Sequence, residues 1–169
     1  MKSNIVLIGI SGAGKTVIGR ALSYKLQMPF FDLDSFIEEK NKLSIPEIFS
    51  KYGEEYFRKL ESEAVKFLST KCNNTIISTG GGVVLNEENM NLLKETGTVV
   101  YINRSLENIL TKVNTNKRPL LKTNPQLLYD IYKKRHPLYL GYADICVVNR
   151  ENFSACVDEI SEIIKARMS

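Results

Sequence analysis

The sequence predicts an α/β fold, a three-layer sandwich in which a parallel sheet of five strands is flanked by helices. Three observations predict it. Five short apolar runs alternate with stretches of helical periodicity, the pattern of strands joined by right-handed crossovers. The first run passes directly into a glycine-rich loop and then into a helix. No repeat, low-complexity stretch or linker divides the 169 residues, so 1–169 read as one domain able to bury a single core.

The elements follow in order. Residues 5–9 are continuously apolar, as expected of a strand buried on both faces. From Lys15 onward, Val17, Ile18, Ala21, Leu22 and Leu26 mark one helix face, and Gly19 within it implies close backbone packing. Residues 29–32 form the second strand. Ser44 and Glu47 make a capping box that opens a short helix, with Gly53 as its stop. Phe57, Leu60, Ala64, Phe67 and Leu68 then give a longer helix an apolar stripe. Residues 75–79 are the third strand and run into three glycines. A helix over 86–95 stops at Gly97, and 99–102 is the fourth strand. Ser105 caps a helix whose pattern dissolves into the polar stretch 114–119. Asn124 as N-cap and Pro125 at the first helical position open a helix carrying Leu128, Ile131 and Tyr132 towards Arg135. Residues 145–148 are the fifth strand, and Phe153, Val157, Ile160 and Ile164 line the last helix.

Composition narrows the function. The chain is 43% hydrophobic and 25% charged, ordinary for a globular domain. Its net charge of +4 suits anionic small molecules; a dense basic stripe or aromatic stacking motif for nucleic acid is missing. Cys72, Cys146 and Cys156 are odd in number and lack CxxC spacing, which argues against a disulfide scaffold or a zinc site and for a reducing compartment. The apolar run 5–10 is too short to span a membrane. A cytoplasmic monomer with no membrane or nucleic-acid partner is expected.

The strongest chemical signal is Gly9-Ile-Ser-Gly-Ala-Gly14-Lys15-Thr16, which fits GxxxxGK[ST] between a strand and a helix. Its glycines let backbone N–H groups turn onto phosphate oxygens, and the helix N-terminus adds positive potential. Gly12, Ala13, Gly14, Lys15, Thr16 and Val17 are therefore the candidate ATP-binding residues. Lys15 would reach the β- and γ-phosphates, and the Thr16 hydroxyl would ligate Mg²⁺. Asp32 and Asp34 stand two apart at the end of the second strand. In extended chain that spacing turns both carboxylates to one side, towards the phosphate loop. One could hold Mg²⁺ while the other meets an acceptor hydroxyl; alternatively one merely caps the following helix.

Further short pieces fall behind the loop: Asp32-Leu-Asp34, Phe57-Arg58-Lys-Leu-Glu61, Ser78-Thr-Gly80-Gly81-Gly82, Arg118-Pro-Leu-Leu121 and Arg135-His-Pro-Leu-Tyr139. Each is weak alone, but in this order and spacing the chain resembles the shikimate kinase family over nearly its whole length. The resemblance implies a P-loop kinase that uses ATP, with Mg²⁺, to phosphorylate the 3-hydroxyl of shikimate. It implies that Asp34 holds the acceptor hydroxyls and is placed to take the proton, and that Asp32 helps to position Mg²⁺. Arg58 and Arg135 would clamp the shikimate carboxylate. Gly80, Gly81 and Gly82 would offer backbone to substrate and γ-phosphate, and Arg118 would swing over the phosphates on a mobile lid. The acceptor-binding segment would be 33–61 and the lid 112–124. The proposed chemistry is sound for these residue types: an arginine fork matches a carboxylate bidentately, glycines permit close approach, and a lid excludes competing water. One departure stands out. Family members commonly carry an adenine-stacking arginine seven residues before the lid arginine, where this chain has Thr111 with Lys112 beside it. Either Lys112 stands in with a shifted register, or adenine is held differently, with Val148, Asn149 and Arg150 as a wall.

Plainer readings exist for several of these residues. Arg58 and Glu61, at i and i+3, could be an ordinary surface pair. Lys133 and Lys134 read as a solvated helix end, Lys117 and Arg118 could be solvent-facing, and His136 is assigned to structure. The competing functions are another small-molecule kinase of the gluconate type and a non-enzymatic nucleotide-binding module. A nucleoside-monophosphate kinase would want a larger arginine cluster.

Overall fold

The structure is a computed structural model that describes residues 2–111 and 124–168. Its central strand β1 (Asn4–Ile8) is buried along its whole length, and each fully buried Leu or Ile there contributes roughly 1.5–3 kcal/mol. β2 (Phe30–Asp32), β3 (Ile76–Ser78), β4 (Gly97–Asn103) and β5 (Ile145–Val148) complete one parallel sheet in the order β2-β3-β1-β4-β5. In register, Val6 pairs with Ile77 on one side and Val99 on the other. The chain thus moves to one side of β1 for β2 and β3 and to the other for β4 and β5. That reversal opens a crevice at the carboxyl end of β1, where ligands of such sheets lie.

Helices α1 (Lys15–Leu26), α2 (Leu33–Asn41), α3 (Ile45–Lys71), α4 (Glu87–Thr96), α5 (Leu106–Thr111), α6 (Pro125–Tyr142) and α7 (Phe153–Met168) surround the sheet. α1 packs against α7 and β3, while α4 and α6 pack against β4. Gly19 lets α1 lie hard against β2: a Cβ there would sit 2.5 Å from Phe30 Cε2. The caps are local chemistry. Ser44 and Glu47 form the reciprocal capping box of α3, and Asn86 and Asn124 cap α4 and α6. Gly53, at φ 81 and ψ 174, breaks α3 in two, because no residue with a Cβ adopts that conformation readily.

Some expectations need correcting. The buried face of α1 is narrower than the periodicity implied: Ile18, Leu22 and Gly19 are covered, whereas Val17 is 54% exposed and Ala21 is also exposed. Val17 faces the phosphate-loop cavity instead of the core. Phe67 is likewise exposed and stacks on Phe36 at 5.3 Å, its place in the core taken by Val65. The periodicity gave α2 no bounds, because only Leu33 and Ile37 of its nine residues are buried. α6 does not end near Arg135 but runs through Pro137 to Tyr142. Among the described residues no helix is long and apolar enough to cross a membrane, and the three cysteines are free. Lys112, Arg118 and the rest of the expected lid, Asn124 apart, lie outside the described residues.

Candidate active site

β1 delivers the chain to a turn that only glycine can complete. Gly14, the N-cap of α1, has φ 102, and a Cβ there would also lie 2.6 Å from Phe153 Cε1. No side chain caps α1, and its first residues Lys15, Thr16 and Val17 line the cavity, an arrangement suited to an anion. Lys15 is buried, with Nζ donating to Gly9 O at 2.6 Å and Ile10 O at 3.1 Å. Ala13 is fully buried in the loop, and Gly12, Gly14 and Thr16 line the cavity.

Asp32 and Asp34 reach this cavity by a different route from the one the spacing suggested. The backbone between them is not extended: Asp32 ends β2 and Leu33 already begins α2. Asp32 Oδ1 caps that helix by accepting from Ser35 N at 3.0 Å, so the capping reading of this residue holds. Its other oxygen, Oδ2, accepts from the Thr16 hydroxyl at 2.8 Å. Asp34 projects from the first turn of α2. Both carboxylates line one cavity of about 320 Å³ with Lys15, Thr16, Thr79 and Gly81. Among the described residues no group of three or more His, Cys, Asp or Glu could hold a metal. The Thr16 and Asp32 oxygens nonetheless fit Mg²⁺, which takes one or two protein ligands and completes its shell with phosphates and water.

The glycine run after β3 is where the acceptor-side residues converge. A Cβ on Gly80 would lie 2.8 Å from Asp34 Oδ1 and 3.0 Å from Glu61 Oε1. One on Gly81 would lie 3.0 Å from Ser11 N and 3.6 Å from Arg135 Nη1, and one on Gly82 would fall on the Arg58 guanidinium. Arg58 donates to Glu61 Oε2 at 2.8 Å and to Glu54 Oε1 at 3.2 Å. This is no surface pair, because Glu61 is completely buried beneath the glycines. Burial pushes the Glu61 carboxyl up, with Asp34 adding to the effect, against the opposing pull of Arg58 and Arg135. Burial also works against the Arg58 charge, but Glu61 and Glu54 outweigh it and hold its pKa above the ordinary value. Tyr139, one turn beyond Arg135 on α6, donates to Gly81 O at 2.6 Å, and burial pushes its hydroxyl up to about 12.

One residue and one contact here escaped the sequence reading. Arg104, named nowhere in that reading, is buried just after β4 and donates to Gly12 O at 2.9 Å; Asn149, expected only as an adenine wall, donates from Nδ2 to Ala13 O at 2.9 Å. Their signal was position alone, each lying just past the carboxyl end of a strand. Of the wall expected over 148–150, only Asn149 meets the phosphate loop. Val148 and Arg150 open onto a separate cavity with Cys146 and Cys156, because alternation along β5 turns Val148 outward. His136 bonds Tyr101 Oη at 2.8 Å and stacks on Tyr132 at 4.8 Å, away from the reacting groups.

The chain is similar to known proteins over nearly its whole length. The family model described as Shikimate kinase matches residues 11–165. The chain is similar to the shikimate kinase of Dictyoglomus turgidum, 44% identical over 98% of this chain and 97% of that one. It is also similar to that of Clostridium beijerinckii, 42% identical over 97% and 96%. Among solved structures, the shikimate kinase of Acinetobacter baumannii in complex with shikimate superposes with a TM-score of 0.92 at 36% identity, covering 99% of this chain and 95% of that one.

Proposed function

The chain belongs to the shikimate kinase family, and on that premise we propose how its residues move the γ-phosphate of ATP onto the 3-hydroxyl of shikimate. The observation that carries the reading is the convergence of Asp34, Arg58 and Arg135 on Gly80, Gly81 and Gly82, within reach of the cavity that Lys15 floors.

The phosphate loop and the open N-terminus of α1 bind the triphosphate. Lys15 exchanges its contacts to Gly9 and Ile10 for phosphate oxygens, stabilising the charge that the transferring group spreads over them. Thr16 and Asp32, whose oxygens face each other at 2.8 Å, are the residues that would hold Mg²⁺. When bound, that ion neutralises charge on the β- and γ-phosphates.

On the acceptor side, 33–61 supplies the binding segment: Asp34 from α2 and Arg58 from the second half of α3. Arg58 and Arg135 fork the shikimate carboxylate, which anchors the ring at a distance from its reacting hydroxyl. Asp34 accepts the 3-hydroxyl proton and aims its oxygen at phosphorus, so orientation and proton removal reside in one group. The glycine run keeps side chains out of the path between donor and acceptor. We assign the covering role to 112–124, with Arg118 over the phosphates, from the sequence resemblance. A monomer in a reducing cytoplasm is our reading from the sequence, whose three cysteines are odd in number and lack CxxC spacing.

The test is ADP release from MgATP with shikimate, gluconate, quinate or no acceptor. Turnover that requires shikimate is expected. Turnover with gluconate instead would move the chain to another small-molecule kinase, and nucleotide binding without turnover on any acceptor would make it a binding module.

A further inference from the structure

Arg104 is an arginine that the chemistry above does not use. It follows the carboxyl end of β4, the strand beside β1, and its side chain is only 6% exposed. It nevertheless forms part of the wall of the phosphate-loop cavity, together with Phe153. Nη1 donates to Gly12 O at 2.9 Å and Nη2 to Glu151 Oε1 at 3.3 Å. The guanidinium carbon lies 5.9 Å from the centroid of Phe153, the ring that crowds Gly14. Asn149, past the end of β5, holds the next loop carbonyl, Ala13 O. Two successive carbonyls at the crest of the loop are therefore gripped from outside it.

A planar trans peptide sets its N–H opposite its C=O. Gripping the Gly12 and Ala13 carbonyls thus dictates which way the Ala13 and Gly14 amides point. Ala13 N is directed back to Ile10 O at 3.0 Å, which closes the tight turn of the loop. The grip uses a rigid, always-charged fork, so it also places positive charge beside the site of a polyanion.

Stability explains an arginine here poorly. Its Nε–H is buried with no acceptor among the described residues, which costs free energy. Its ion pair is to a Glu151 side chain that is itself 37% exposed, and a pair so open to water adds little.

We propose that Arg104, held between Gly12 O and Glu151, is a positioning residue that orients the crest of the phosphate loop and sets affinity for the nucleotide but not for the acceptor. The proposal rests on the reading of this loop as the ATP site and adds a nucleotide-side residue outside the motif.

The experiment uses the full chain carrying Arg104→Met, Arg104→Lys or Glu151→Gln, with MgADP titrated calorimetrically beside KM values and melting temperatures. In Arg104→Met, MgADP affinity falls and the KM for ATP rises by roughly tenfold, as for loss of a charged hydrogen bond. The KM for shikimate stays within about twofold, because the acceptor groups are untouched. Arg104→Lys recovers part of the affinity, and Glu151→Gln loses roughly threefold, since Arg104 remains but is held less firmly. A folded Arg104→Met variant with wild-type MgADP affinity overturns the proposal. If that variant does not fold, unchanged affinity in both Arg104→Lys and Glu151→Gln overturns it equally. Wild-type protein that binds MgADP but does not phosphorylate shikimate would refute the acceptor reading and leave this one standing; no MgADP binding would end both.

Discussion

Arg58 and Glu61 are joined at 2.8 Å, with the carboxylate side chain 1% exposed and the guanidinium side chain 24% exposed. The buried partner fixes where the fork points, and the partly exposed partner keeps donors for a ligand. Glu54 steadies the same guanidinium at 3.2 Å.

That geometry makes charge alone insufficient at position 58. Lysine would keep the charge and three donors but lose the planar fork, so it cannot meet Glu61 on one edge and a substrate carboxylate bidentately on another. Arg58→Lys should raise the KM for shikimate roughly tenfold or more, with the KM for ATP nearly unchanged. Initial rates over a matrix of both substrates check it. A rise in the KM for ATP instead would take Arg58 out of the acceptor site.

Glu61 links the site to pH. Its carboxyl is raised above the ordinary 4.5, chiefly by burial, so the folded protein keeps this proton to higher pH than the unfolded chain does. The unfolded state therefore binds fewer protons at Glu61 as pH climbs from 4.5, and the stability this residue contributes at low pH is lost through that window. Relative to Glu61→Gln, whose side chain does not titrate, the wild-type melting temperature should fall as pH rises from about 4 towards neutrality. A constant difference between the two melting curves over that range would show that Glu61 titrates normally.

Gly82 has helical backbone angles, φ −95 and ψ −1, so alanine is conformationally acceptable there. The conflict is with the Arg58 guanidinium, on which the new methyl would fall. Because Glu61 restrains that group, it can move only by giving up its ion pair. Gly82→Ala should therefore mimic Arg58→Lys, raising the KM for shikimate several-fold while MgADP binding holds. Weakened MgADP binding with an unchanged KM for shikimate would contradict this.

What could be read from the sequence divides along physical lines. The phosphate loop was legible because its chemistry is carried by backbone and by glycines at fixed spacing. Asp32 and Asp34 were also visible, but the extended-chain argument for their common direction fails, since Leu33 starts a helix. α2 hid behind its few apolar residues, and its existence is what aims Asp34. Spacing could relate Arg58 to Glu61 but could not say whether water reaches them, and burial under Gly80 decides their role. Arg104 is a single residue without a local pattern, and Asn149 was visible as an adenine wall but not as a partner of the loop. Only the neighbouring positions of β1, β4 and β5 carry them to the loop.

Asp32 performs two tasks that substitution can separate. Oδ1 caps α2 while Oδ2 faces Thr16. Asparagine can still cap, whereas alanine cannot, at a cost of about 1 kcal/mol. Asp32→Asn should keep its melting temperature but need several-fold more Mg²⁺ for half-maximal rate, since the ligand loses its charge. Asp32→Ala should show the same metal defect and a lower melting temperature as well. Mg²⁺ titrations that match wild type in both variants would confine Asp32 to capping.

Asp34 stands between the two halves of the site, on the first turn of α2 with Oδ1 against Gly80. Asparagine has nearly the same shape and presents a carbonyl oxygen in place of one carboxylate oxygen, so it can still accept a hydrogen bond from the hydroxyl. It cannot take the proton. In a loose transition state the attacking oxygen gains little charge before the phosphoryl group arrives, but the proton must still leave as the ester forms. Asp34→Asn should thus lower kcat by about 100-fold or more, within the range for a lost acid–base group, while MgADP affinity stays at the wild-type level. Calorimetry of MgADP beside steady-state kinetics separates the two effects. A fall below about tenfold would mean that Asp34 serves by orientation alone, with the proton leaving to solvent or phosphate.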